Sequence, residues 1–230
     1  MAIHEYLGNG GPARVGAASK VAKAIRSQII AGDIQPGERL PEEKMRSELG
    51  VSRSSLREGF RLLIQERLLV HQLSRGFFVR ELSKDDISDL YRVRSILECG
   101  ALRQVENLSP LGLRGLNCAL KSGRQAVKDQ DWPAVAAASI GFHQALVDLA
   151  GSTRLSFLAS QTLTEFRLSY AYMSDPFSFH KPFGARNHDI AELVRSGAIQ
   201  ESVVALERYL QDSEEALLYH YMEIRGQAKS

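Results

Sequence analysis

Between Ser52 and Leu82 the chain carries an arginine row on one side of a helical pattern, then two short apolar runs joined by Ser74-Arg75-Gly76. Few folds accommodate that order. Leu56, Phe60 and Leu63 recur at i, i+4 and i+7, so they share the core face of a helix that starts at Arg53, with Ser52 as its N-cap. Arg53, Arg57 and Arg61 lie on the opposite side at four-residue spacing. Leu69 to Leu73 and Phe77 to Leu82 read as the two strands of a hairpin. Two helical patterns come before. One begins at Ser19, places Val21, Ala24, Ile25 and Ile29 on one face and stops at Gly32, ahead of the Pro36–Gly37 turn. The other runs from Glu42 to Leu49, turns Met45 and Leu49 inward and is closed by Gly50.

Helix, helix, helix, hairpin within residues 19–82 is a winged helix-turn-helix, the fold in which the third helix enters the DNA major groove. Ser52, Ser54 and Ser55 supply short hydroxyls at the N-terminus of that helix, where phosphate is favoured, and Arg53 and Arg57 supply donors that suit guanine O6 and N7. Arg75 and Gly76 at the hairpin tip suit a wing against the DNA backbone or minor groove. A bare arginine row is more often the solvated side of an amphipathic helix, but the turn before it and the hairpin after it favour DNA. The charge distribution agrees. Residues 1–80 hold 13 Lys/Arg against 8 Asp/Glu, whereas residues 81–230 hold 16 against 19.

After Ser83 the pattern is wholly helical. Helices are expected near 84–106, 110–130, 132–150, 154–173, 184–196 and 199–224, with a loop from Ser174 to Pro182, and together they suggest an all-α antiparallel bundle over 83–230. Residues 1–18 are expected to form a flexible tail. Cys99 and Cys118 lack CxxC spacing, which argues against a zinc finger or a disulfide scaffold and fits a reducing cytosol. With no run of 18 apolar residues and no signal-peptide core, the expected location is cytoplasmic.

Three stretches carry a family resemblance: Gly37-Glu-Arg-Leu-Pro-Glu-Glu, Leu49-Gly-Val-Ser-Arg-Ser-Ser-Leu-Arg-Glu and Arg75-Gly-Phe-Phe-Val79. In this order and spacing they resemble the DNA-binding domain of GntR-type bacterial regulators. The resemblance implies a homodimeric repressor or activator on a short palindrome, with Arg53, Ser55, Arg57 and the wing on DNA. Glu43 departs from it, standing where the family often has a DNA-contacting arginine.

The helical remainder resembles the fatty-acid-regulator type of ligand domain, abbreviated FCD, through Asp89-Leu-Tyr-Arg-Val-Arg-Ser-Ile-Leu-Glu98, through Phe142-His-Gln-Ala-Leu-Val-Asp-Leu-Ala-Gly151 and through His188 with the span to Tyr209-Leu210. The resemblance implies a bundle cavity for a small carboxylate effector, often with a divalent metal. Carried onto this chain, it puts Arg94, Ser139, His143, His188 and Tyr209 in the effector site. Ser139 and Tyr209 replace an Asp and a His, so a cavity without a tightly held metal is expected, and no cofactor. Each His alone is more often a hydrogen-bonded core residue, and Arg94 with Glu98 one turn on is equally an ordinary i, i+4 pair. Phe177, Phe179 and Phe183 suit either a lid or core packing. Two alternatives stay open: a metal-dependent hydrolase or lyase in the helical part, and a DNA-binding dimer without an effector. Without His-Glu-x-x-His, a phosphate loop or a nucleophile elbow, the expectation is that the chain is not an enzyme.

Overall fold

The computed structural model describes residues 12–173 and 176–227, and the chain divides into two compact units, 1–81 and 82–230. Residues 1–11 of the expected tail lie outside the described residues.

In the first unit, α1 spans Pro12–Ala31, so helix already covers the part of the expected tail from Pro12 onward. Helix α2 (Glu42–Leu49) ends on Gly50, whose φ of 61° is the left-handed conformation that lets the chain reverse into α3 (Arg53–Gln65). Ser52 caps α3 by accepting from the Ser55 amide at 3.1 Å. Strands β2 (Leu69–Gln72) and β3 (Gly76–Val79) form the hairpin, in register Leu69 with Val79 and Gln72 with Gly76. A third strand, β1 (Arg39–Leu40), pairs with Phe78 and Phe77 and gives the order β1-β3-β2. Two residues are too short for a periodic signal, so β1 does not show in the sequence. Ile25, Leu56, Phe60 and Leu63 have no exposed area, and the Phe60 and Phe77 rings meet at 4.6 Å, which fastens the hairpin to α3. Helices α1 and α3 touch closely at Gly59, where an added Cβ would fall 2.5 Å from Val21.

The second unit is helical throughout the described residues: α4 (Lys84–Arg103), α5 (Pro110–Lys128), α6 (Trp132–Asp148), α7 (Thr153–Phe166), α8 (Pro176–Arg195) and α9 (Ile199–Gln227), with a 3-10 segment at Arg167–Tyr172 after α7. Side chains at the starts of four helices satisfy otherwise unpaired amides: Ser83 with Asp86 in a reciprocal capping box, and Ser109, Asp131 and Ser152. Helix α4 packs on α6, α7 and α9, while α8 packs on α6 and α9. The expected loop from Ser174 to Pro182 is corrected here. Among its described residues, α8 begins at Pro176 and continues through Pro182. Proline at that point removes the bond to the Ser178 carbonyl and crowds that carbonyl, and buried Phe179 and Phe183 on either side offset this by anchoring the helix to the core. No helix among the described residues is long and apolar enough to cross a membrane.

Candidate functional site

The first unit presents its polar groups at the N-terminus of α3 and along the hairpin. Ser52 Oγ lies 3.0 Å from Ser54 Oγ and 2.9 Å from Ser55 Oγ. Ser52, Arg53 and Ser54 are exposed, whereas Ser55 is buried and serves the cap. The Arg57 side chain is half exposed and donates to Glu42 on α2 at 2.9 Å. That hydrogen bond, together with the guanidinium charge, holds the Glu42 carboxyl below its usual range. Arg61, one turn further along, pairs with Glu58 within its own helix. At the wing, Ser74 (φ 63°) and Gly76 (φ 100°) turn the chain, and the Arg75 guanidinium stands 5.5 Å from the Phe78 ring. Arg39 on β1 reaches to within 3.7 Å of the Cβ position of Gly76. Arg39 carries no signal of its own in the sequence. Its place beside the wing follows from β1 pairing, the element that has no periodic signal.

The second unit holds a charged core. Arg94 and Glu98, on successive turns of α4, are 2% and 1% exposed, and the Arg94 Nε donates to Glu98 Oε1 at 2.8 Å. The guanidinium also lies over the Phe166 ring at 4.3 Å. Arg94 is therefore a paired cation inside the bundle, not the free charge expected of an effector-binding arginine. Glu98 Oε2 is 2.6 Å from His143 Nδ1 on α6. Burial alone raises the Glu98 carboxyl, but Arg94 and His143 outweigh it and hold it down to about 2. Burial lowers His143 in turn, against the pull of the Glu98 carboxylate, to which its Nδ1 donates. That Nε2 is buried and has no hydrogen-bond partner. The His143 ring stacks obliquely on Tyr209 at 4.9 Å, and the Ser139 hydroxyl neighbours the Tyr209 and Tyr170 phenols.

Ser139 also faces a groove of about 510 Å³ between α5, α6 and α8. Its walls are mostly apolar, with Leu120, Val127, Trp132, Val135, Phe142 and Phe183 among them. The size and lining are those of small-molecule sites. Phe177 is exposed on its wall and meets Trp132 edge to face at 5.3 Å, while Phe179 and Phe183 are core. His188 stands at the groove's mouth with its side chain half exposed, 3.7 Å from Glu192. The inward position is Asn187, which is 5% exposed and has its Oδ1 buried without a partner. The sequence contained the signal: Phe183, Ile190 and Val194 mark the buried face of α8, and 187 falls on it where 188 does not. Of the five expected effector residues, Ser139 and His188 line the groove, while His143, Tyr209 and Arg94 form a buried cluster with Glu98 that is not part of its lining.

The donor set does not fit a divalent metal. Among the described residues no three His, Cys, Asp or Glu side chains gather to hold one. His143 has one ring nitrogen committed to Glu98, and Ser139, Asn187 and Tyr209 provide only neutral oxygens.

Comparison with known proteins agrees with both units. Residues 17–79 match the family described as bacterial regulatory proteins, gntR family, and residues 89–212 match the FCD domain. The crystal structure of a transcriptional regulator GntR from Rhodococcus sp. RHA1 is 35% identical, covering 88% of this chain and 98% of that one, with a TM-score of 0.83. The Escherichia coli McbR/YncC structure shares the fold at 22% identity and a TM-score of 0.77, covering 89% of this chain and 98% of that one. The gluconate operon transcriptional repressor of Bacillus licheniformis is 30% identical over 131 residues, 56% of this chain and 53% of that protein. A regulator named BphR from Paraburkholderia xenovorans is 41% identical over 80 residues, 35% of this chain and 33% of that protein. The chain thus spans about a third to a half of the length of these curated relatives. With a winged helix bearing its arginines on α3 and an FCD helical unit after it, the chain belongs to the GntR family of transcriptional regulators.

Proposed function

We propose that this regulator acts in the cytoplasm as a homodimer that binds a short palindromic operator, and that a small effector in the helical unit changes its affinity for that DNA. The observation that carries the DNA reading is the α3 N-terminus, where Ser52, Arg53 and Ser54 are exposed next to a half-exposed Arg57. Arg53 and Arg57 read base edges, the serine hydroxyls hold phosphate, and Arg75 with Arg39 follows the backbone at the wing. Arg57 leaves Glu42 to do so. An exposed ion pair of this kind is worth little, and a guanine offers a bidentate partner in exchange. The effector reading is supported by the apolar groove and by the buried, unpartnered Oδ1 of Asn187 in its lining.

The test is selection from a random duplex pool with the full chain, followed by anisotropy titrations of the enriched duplex with a panel of organic acids. The proposal expects an enriched inverted repeat and at least one acid that shifts the binding midpoint. A pool that remains random would contradict DNA reading. A clean operator that no acid affects would favour the effector-independent dimer.

A further inference from the structure

We propose that the groove takes an amphipathic hydroxy acid in one orientation, with a hydrogen-bond donor buried against Asn187 at the inner end and an anionic group left at the mouth. This rests on the effector reading above and specifies its ligand. Three features of the groove carry it.

The first is the inner end. Asn187 lines the groove and is buried, and its Oδ1 has no hydrogen-bond partner. A carboxamide oxygen is an acceptor. An unsatisfied buried acceptor is costly, and it selects a ligand that brings N–H or O–H. A carboxylate brings only lone pairs and leaves that oxygen unsatisfied. Arg94 does not offset this, since Glu98 already neutralises it and Phe166 covers its face.

The second is the middle. Phe142, Phe183, Trp132 and Val135 leave an apolar passage that suits a ring or a short aliphatic chain. The third is the mouth. Arg124, Lys128 and Lys181 line it and are exposed, and no Asp or Glu is among the described residues that line the groove. Three cations without an acid favour an anion there. The polarity of the groove is therefore donor inside, anion outside. A ligand whose carboxylate is its innermost group would be inserted the wrong way round.

Calorimetry on the full chain with four matched probes tests this: 3-(4-hydroxyphenyl)propionate, 3-(4-methoxyphenyl)propionate, 3-phenylpropionate and 4-propylphenol. The hydroxy acid should bind most tightly, and the methoxy and unsubstituted acids about tenfold more weakly, as expected for one buried hydrogen bond. The phenol without a carboxylate should lose affinity severalfold, a loss that shrinks in high salt because the mouth is solvated. Asn187→Leu should bring the hydroxy and unsubstituted acids to the same affinity. If the unsubstituted acid binds the parent chain as tightly as the hydroxy acid, or the phenol binds as tightly as the hydroxy acid, or none of the four binds, the inference is overturned without recourse to a variant. Operator anisotropy in the same samples separates this from the regulator reading. A probe with the opposite preference that still shifts operator binding overturns the ligand assignment alone. A probe with the expected preference that leaves operator binding unchanged overturns the regulatory reading alone.

Discussion

Glu98 is the pivot of the helical unit at the residue scale, because one carboxylate serves Arg94 and His143 at once with all three side chains out of water. Arrays of this kind are sensitive to the loss of one member, since the remaining charge is buried unpaired. Glu98→Gln should therefore cost about 3–5 kcal/mol in urea unfolding. Replacing the pair together, Arg94→Met with Glu98→Leu, should cost clearly less than the single change, and equal costs would refute the argument. Buried histidines add a pH dependence. His180, 6% exposed on α8, is pushed down by burial to about 4. The folded state keeps it neutral while the unfolded chain protonates it near 6.5, so stability is complete above that value and falls as the pH drops toward 4. At pH 5 the loss is roughly 2 kcal/mol from this residue. His143, also lowered by burial, acts in the same sense. Unfolding of parent and His180→Gln at pH 7.5 and pH 5 checks this: the variant should lose less, and parallel losses would count against it.

Between elements, the tightest tolerance is the crossing of α1 and α3 at Gly59. Gly59→Ala places a methyl 2.5 Å from Val21 Cγ1 and 3.1 Å from the Ala18 carbonyl, so the helices must separate. The expected cost is about 1–3 kcal/mol in thermal or urea unfolding, and an unchanged midpoint would mean that the crossing is looser than described. Helix capping and periodicity made most elements readable in advance. Ser52, Ser83 and Ser109 each open a helix that the pattern had begun there, and Gly50 closes another. What escaped was tertiary in origin. Strand β1 exists because Phe77 and Phe78 offer it an edge, and without β1 the position of Arg39 is invisible. Pro176 and Pro182 argue for a loop only until Phe179 and Phe183 are seen to be buried. The site was partly legible for the same reason. Ser139 and His143 follow from helical spacing on one element, whereas the choice of Asn187 over His188 depends on the register of α8, which the assumed loop obscured. The partnership of Arg94 was open between surface pair and ligand contact, and only packing from α6 and α7 shows it to be a buried pair.

At the scale of the whole molecule, the proposed function requires α3 to distinguish base sequence. The expected dimer supports this by presenting two copies of α3 to one palindrome, so sedimentation of the full chain with operator should give two chains per duplex, and one chain per duplex would speak against it. Sequence discrimination itself can be measured as the ratio of Kd on a scrambled duplex to Kd on the selected operator, at low and at moderate salt, for the parent chain, Arg57→Ala and Arg75→Ala. Arg57→Ala should lower the ratio roughly tenfold or more while leaving scrambled-duplex binding little changed, because a base contact has been lost. Arg75→Ala should weaken both duplexes alike and flatten the salt dependence, as expected of a phosphate contact. Retention of the parent's full ratio by Arg57→Ala and by the Arg53→Ala, Arg57→Ala double variant would contradict the claim that α3 reads the operator.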